Sequence, residues 1–90
     1  MAQTRTLRIT NDLGLHARAA AKIVELAGRY DARLYLVKDG SEVEGGSILS
    51  ILTLACPKGT EVTIKTDGKD ADALLEALCK LFEEKFGEES

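Results

Sequence analysis

The chain is short of the aromatic and basic residues that build nucleic-acid surfaces. It has no tryptophan, only two tyrosines and two phenylalanines, one proline, one histidine and two cysteines in 90 residues. Positive charge is outnumbered, 12 Lys and Arg against 15 Asp and Glu, for a net charge of −3. Phosphate neutralisation needs a basic face, so no nucleic-acid partner is expected. No apolar run approaches the roughly 18–20 residues of a membrane span, and no membrane partner is expected. Met1-Ala2-Gln3-Thr4-Arg5 runs directly into alternating sequence with no signal-peptide pattern, which points to the cytoplasm. Cys56 and Cys79 stand 23 residues apart without a Cys-x-x-Cys partner. They read as small buried apolar residues, with a disulfide or a metal or redox role as the alternatives. Neither a metal nor a cofactor is expected.

What is present suits one small folded domain over residues 1–90, since 44% of the residues are hydrophobic and 30% charged. Thr4 to Thr10 alternates polar and apolar, the period of a half-buried strand. Ala17, Ala20, Ala21, Val24 and Ala27 recur at helical spacing, and Gly28 is a helix stop. Ala32 to Val37 is a second strand, Asp39-Gly40 a hairpin turn and Ser41 to Glu44 its short partner. Ser47 can cap a short helix over 48–54, which Pro57 terminates. Glu61 to Thr66 alternates as a fourth strand. Asp70 can cap a long helix striped by Ala71, Leu74, Leu75, Leu78, Leu81 and Phe82. The order β-α-β-β-α-β-α, with alternating strands, predicts an α+β fold: an antiparallel sheet with one wet face and one covered by helices.

Chemistry has one place to sit. His16 stands where a turn meets a helix, in Gly14-Leu15-His16-Ala17-Arg18. The first helical N–H groups, those of Ala17, Arg18 and Ala19, have no intrahelical partner and can hold an anion. The positive end of the helix dipole disfavours imidazolium and leaves a ring nitrogen free to attack. Arg18 offers a planar fork for phosphate oxygens. A nucleophilic nitrogen, an anion cradle and a guanidinium describe a phosphoryl acceptor and donor.

The segment Leu13-Gly14-Leu15-His16-Ala17-Arg18-Ala19-Ala20 resembles the active-site segment of the histidine-containing phosphocarrier (HPr) family of the bacterial phosphotransferase system. The resemblance extends to Lys38-Asp39-Gly40 at the hairpin, Gly46-Ser47-Ile48-Leu49-Ser50-Ile51-Leu52 at the regulatory-serine helix, and Lys58-Gly59-Thr60-Glu61-Val62 before the last strand. It implies an open-faced β-sandwich of four antiparallel strands with three helices on one face. His16 would be phosphorylated on a ring nitrogen by enzyme I, charged from phosphoenolpyruvate, and would pass the group to an IIA component of a sugar permease or a regulatory relay. Arg18 would steady the phosphoryl group. Ser47 aligns with the regulatory serine, which implies a serine kinase/phosphorylase as a further partner. Ala20, Lys22, Ile48, Leu49 and Leu52 are the expected docking residues of a monomeric carrier that is not itself an enzyme. Two departures stand out. Ala19 replaces the usual proline, which should slightly loosen the first turn. Gly45-Gly46 replaces a polar residue and a lysine before Ser47.

Two other kinds of function compete. A regulatory binding module of the same fold would lack the histidine, whereas His16 and Arg18 are both present. A small acyl-phosphatase-like hydrolase would need a polar group to orient water, and none stands near His16 in sequence. Within the carrier reading, sugar-uptake and nitrogen-regulatory branches both remain.

Overall fold

A computed structural model describes residues 2–90. Four strands, β1 (Ala2–Arg8), β2 (Arg33–Lys38), β3 (Ser41–Glu44) and β4 (Glu61–Asp67), form one antiparallel sheet in the order β1-β4-β2-β3. Three helices, α1 (Ala17–Ala27), α2 (Ile48–Leu52) and α3 (Ala71–Glu83), are followed by a left-handed turn at Lys85–Gly87.

The strand alternation explains the layering. Leu34, Leu36, Val62, Ile64 and Thr66 are buried, while their neighbours Arg33, Tyr35, Val37, Thr63 and Lys65 are exposed or half-buried. Successive side chains on a strand point to opposite faces, so one face is core and the other wet. The inner face packs with Ile23 of α1, Ile51 of α2 and Leu74 and Leu78 of α3, all fully buried. Each such side chain contributes roughly 1.5–3 kcal/mol relative to leaving it exposed. On the wet face Lys65 reaches Glu42 at 2.8 Å, and the Thr6 and Thr63 hydroxyls lie 2.9 Å apart.

Three local expectations need correction. β1 spans Ala2–Arg8 rather than Thr4 to Thr10, because Ile9 leaves the ladder for the Gly59–Thr60 turn, with its N–H 2.9 Å from the Thr60 carbonyl. α2 ends at Leu52, two residues before Leu54. Ala55 turns left-handed (φ 53°), and the Lys38 ammonium takes the Leu54 and Ala55 carbonyls at 2.9 and 2.6 Å. Asp70 stands at the N-cap of α3 without capping it, because its carboxylate accepts the Asp31 N–H at 2.7 Å. Cys56 and Cys79 are both buried and unpaired, and burial pushes the Cys56 thiol up. Cys79 receives a hydrogen bond from Arg5 at 3.1 Å.

Candidate functional site

The site is the loop between β1 and α1, together with the last residues of the chain. Gly14 sets the loop. Its φ of +69° is left-handed, and a Cβ there would lie 2.6 Å from the Cys56 carbonyl oxygen. Only glycine allows both the turn and the close approach. The approach is fixed by Leu15 N–H donating to the Cys56 carbonyl at 2.8 Å. Leu15 is thereby buried, and His16 is delivered to the N-cap of α1 in extended geometry (φ −87°, ψ 179°).

His16 caps the helix with its own ring. Nδ1 accepts the Arg18 backbone N–H at 3.2 Å. Nδ1 therefore carries a lone pair, and Nε2 carries the proton of the neutral ring. Nε2 meets the Glu88 carboxylate. The other Glu88 oxygen accepts the Asn11 amide at 3.0 Å, and the same Asn11 amide nitrogen donates to the Gly14 carbonyl at 2.8 Å. The hydrogen bonds from His16 and then Asn11 hold the Glu88 carboxyl below the usual carboxylate range, and the Arg18 charge acts in the same direction.

The tail that carries Glu88 is anchored by packing. Lys85 and Phe86 both adopt positive φ (54° and 57°), turning the chain back over α3. Phe86 is fully buried, edge-on to Phe82 at a 4.9 Å ring separation, and its carbonyl accepts the Lys22 ammonium.

The expected site residues are divided by the structure. His16, Ala17, Arg18 and Ala19 share the start of α1. One of the three backbone donors expected to hold an anion, that of Arg18, already serves Nδ1. The Arg18 side chain is exposed and makes no hydrogen bond or ion pair among the described residues, so its guanidinium is available to a ligand. Ser47 caps α2, its hydroxyl accepting the Ser50 N–H at 3.3 Å. Ile48 and Leu49 are 37% and 77% exposed. Ala20 is corrected: it is fully buried and belongs to the core, so no partner can reach it. Lys22 commits its ammonium to the tail, and Leu52 leans on the core half-buried. Leu13, 69% exposed beside the site, was absent from the expected docking set although an apolar residue inside a polar turn marks it. Asn11 and Glu88 were missed too. No water-orienting group is expected near His16 from its sequence neighbours, yet Glu88 lies there from 72 positions away.

His16 lies at the surface with a quarter of its side chain exposed. A groove of about 540 Å³ sits at the opposite end of α1, lined by Val24, Ala27, Tyr35 and Glu44. A surface histidine whose Nδ1 lone pair is met only by a backbone N–H suits handing a group between proteins better than enclosing a small substrate. No helix among the described residues is long and apolar enough to cross a membrane. Among them no group of three or more His, Cys, Asp or Glu could hold a metal ion.

Comparison with known proteins agrees with this geometry. The family model described as "PTS HPr component phosphorylation site" matches residues 3–84. A phosphocarrier protein HPr of Xylella fastidiosa is 39% identical over 84 residues, covering 93% of this chain and 94% of that one. A phosphocarrier protein NPr of Shewanella violacea is 42% identical over 86 residues, covering 96% and 94%. The crystal structure of HPr-C-His from Thermoanaerobacter tengcongensis superposes with a TM-score of 0.93 at 36% identity, covering 98% of this chain and 99% of that one. Another structure of HPr from that organism is a dimer.

Proposed function

The chain belongs to the HPr family and is an HPr-type phosphocarrier of the phosphotransferase system rather than an enzyme, and from that premise we propose that it takes a phosphoryl group from enzyme I on Nδ1 of His16 and passes it to an IIA component. The observation that carries this reading is the Nδ1 lone pair, held at a helix N-terminus by the Arg18 N–H. Nδ1 attacks the phosphorus, the N–P bond forms as the donor's bond to phosphorus breaks, and the donor keeps that bond's electron pair. The incoming anion meets the positive end of α1, where the Ala17 and Ala19 N–H groups lack intrahelical partners. The Arg18 guanidinium, which has no hydrogen-bond or ion-pair partner among the described residues, closes on the phosphoryl oxygens. Delivery reverses the step.

The flanking surface supplies docking. Leu13 in the loop before His16, and Ile48 and Leu49 at the start of α2, which packs against α1, expose apolar area, and an interface of modest size suits a carrier that must leave each partner quickly. Ser47, the cap of the helix that carries Ile48 and Leu49, is the regulatory phosphoacceptor in this reading, addressed by a serine kinase/phosphorylase. The carrier works in the cytoplasm as one domain and as a monomer. Although a relative is dimeric, analytical ultracentrifugation of this chain should show one sedimenting species at the 9.7 kDa of a single copy.

Sugar uptake is the branch we favour, with nitrogen regulation as the second reading, because an NPr is as similar to this chain as the HPr relatives are. Incubation with phosphoenolpyruvate and each branch's first enzyme decides between them. Phosphate on the wild-type chain should be acid-labile and alkali-stable, as a phosphoramidate is, and absent from His16→Ala. Acid-labile phosphate on His16→Ala would refute the assignment.

A further inference from the structure

We propose that Glu88 is a positioning residue for phosphoryl transfer, its carboxylate keeping the single ring proton of His16 on Nε2 throughout the cycle so that Nδ1 always presents, or receives back, its electron pair. The inference rests on the reading of His16 as the phosphoryl acceptor and adds a residue to it. Glu88 lies beyond the segment that the family model matches, which ends at residue 84.

The placement is built rather than incidental. The Glu88 side chain is 14% exposed. One carboxylate oxygen meets Nε2 and the other is held by the amide of fully buried Asn11. Behind it the tail is pinned by buried Phe86 and by the Lys22 ammonium on the Phe86 carbonyl. A histidine serving only as a helix cap needs Nδ1 and nothing at Nε2. Of the other charges nearby, Asp12 pairs with Lys58 at 2.7 Å, is hydrogen-bonded by Ser90 and feels the Lys85 charge, while the Arg18 charge favours the Glu88 carboxylate without an ion pair among the described residues.

The chemistry gives the carboxylate its task. When Nδ1 bonds to phosphorus with Nε2 protonated, the ring becomes cationic, and its positive charge faces Glu88. When the N–P bond breaks, the electron pair returns to Nδ1 and the ring leaves as neutral imidazole. No proton moves on the ring in either direction. If the Nε2 proton were lost from the phosphorylated ring, the departing group would be imidazolate, a far poorer leaving group. A carboxylate on the second nitrogen guards against that loss, as carboxylates orient imidazoles elsewhere by the same contact.

The test uses the full chain with ¹⁵N-labelled histidine. In the wild type the Nε2 proton should give a resolved, exchange-protected resonance, which Glu88→Ala should lose to solvent. Glu88→Gln keeps the acceptor for Asn11 and the seated tail while removing the charge, and so separates positioning from folding. Phosphoryl delivery by both variants should be roughly tenfold slower at about pH 8 and approach the wild type near about pH 6, where solvent supplies the proton. Glu88→Asp should restore part of the rate. A wild-type pH profile in Glu88→Gln, with His16 phosphorylated, overturns the role of Glu88 alone. Absence of phosphate from His16 in the wild-type chain overturns the underlying reading instead, and the proposal with it.

Discussion

Gly14→Ala tests whether the loop that delivers His16 is held by a close approach that only glycine permits. Two costs add. Alanine at φ +69° is strained by roughly 1–2 kcal/mol. The new Cβ would also stand 2.6 Å from the Cys56 carbonyl oxygen and 2.9 Å from the Pro57 Cα, both backbone atoms that no side-chain rotation can move. The loop must retreat and stretch the Leu15 N–H bond to Cys56, now 2.8 Å, which is worth about 1 kcal/mol. A loss of about 2–3 kcal/mol corresponds to roughly 8–24 °C in Tm for a domain of this size. Gly40→Ala is the internal control. Gly40 also has positive φ (+82°), but a Cβ there meets nothing within 4 Å, so it carries the strain alone. Thermal unfolding by circular dichroism should place Gly14→Ala well below Gly40→Ala. Equal midpoints would refute the contribution of the close approach. Charging of His16 should slow in Gly14→Ala and stay at the wild-type rate in Gly40→Ala.

Arg18→Ala should unfold within a few degrees of the wild type, because the side chain is exposed and makes no hydrogen bond or ion pair among the described residues, while both charging and delivery slow about tenfold or more in stopped-flow transfer assays. Ser47→Asp should stay folded and be charged by enzyme I more slowly, with Ser50→Asp as the control; wild-type rates in both would return Ser47 to a helix cap. Phe86→Ala should lower stability by about 3–5 kcal/mol in urea titration, since the ring is fully buried, and should release the His16 Nε2 contact as the tail detaches. Glu88 and Asp12 both titrate below their usual range when folded, so their stabilisation is complete above the unfolded carboxylate pKa and is lost as pH falls through the lower folded value. Tm curves of the wild type and Glu88→Gln should accordingly converge below about pH 4.

What the sequence made legible is whatever depends on neighbours a few positions apart. α1 and β3 have the boundaries that the apolar spacing and the Asp39-Gly40 turn predict. His16 was readable as a site because everything that makes it a cap lies within two residues of it: the turn before, the Arg18 N–H after, and the helix they start. The misplacements come from contacts that spacing cannot encode. Leu54 looks helical because it is apolar, but it fills the core from a turn whose carbonyls are taken by Lys38, 16 positions back. Asp70 has a capping residue's chemistry, yet a closer donor, the Asp31 N–H, claims it. Ala20 fits an active-site segment and an apolar helix face equally well, and only the packed core decides that it is buried.

Glu88 is the extreme case. In Gly87-Glu88-Glu89-Ser90 it is indistinguishable from a solvated acidic end, and Glu89, one position on, is exposed. What singles out Glu88 is the geometry before it. Two left-handed residues at Lys85 and Phe86 send the ring of Phe86 into the core and bring the next acidic side chain back to the start of α1. Left-handed backbone at two consecutive non-glycine residues is unfavourable by itself, so it persists only because burial of Phe86 and the Lys22 contact outweigh it. The same packing that stabilises the tail therefore determines which carboxylate faces Nε2. Glu88→Ala leaves Glu89 as the next acid in the tail, and the Nε2 contact should not transfer to it.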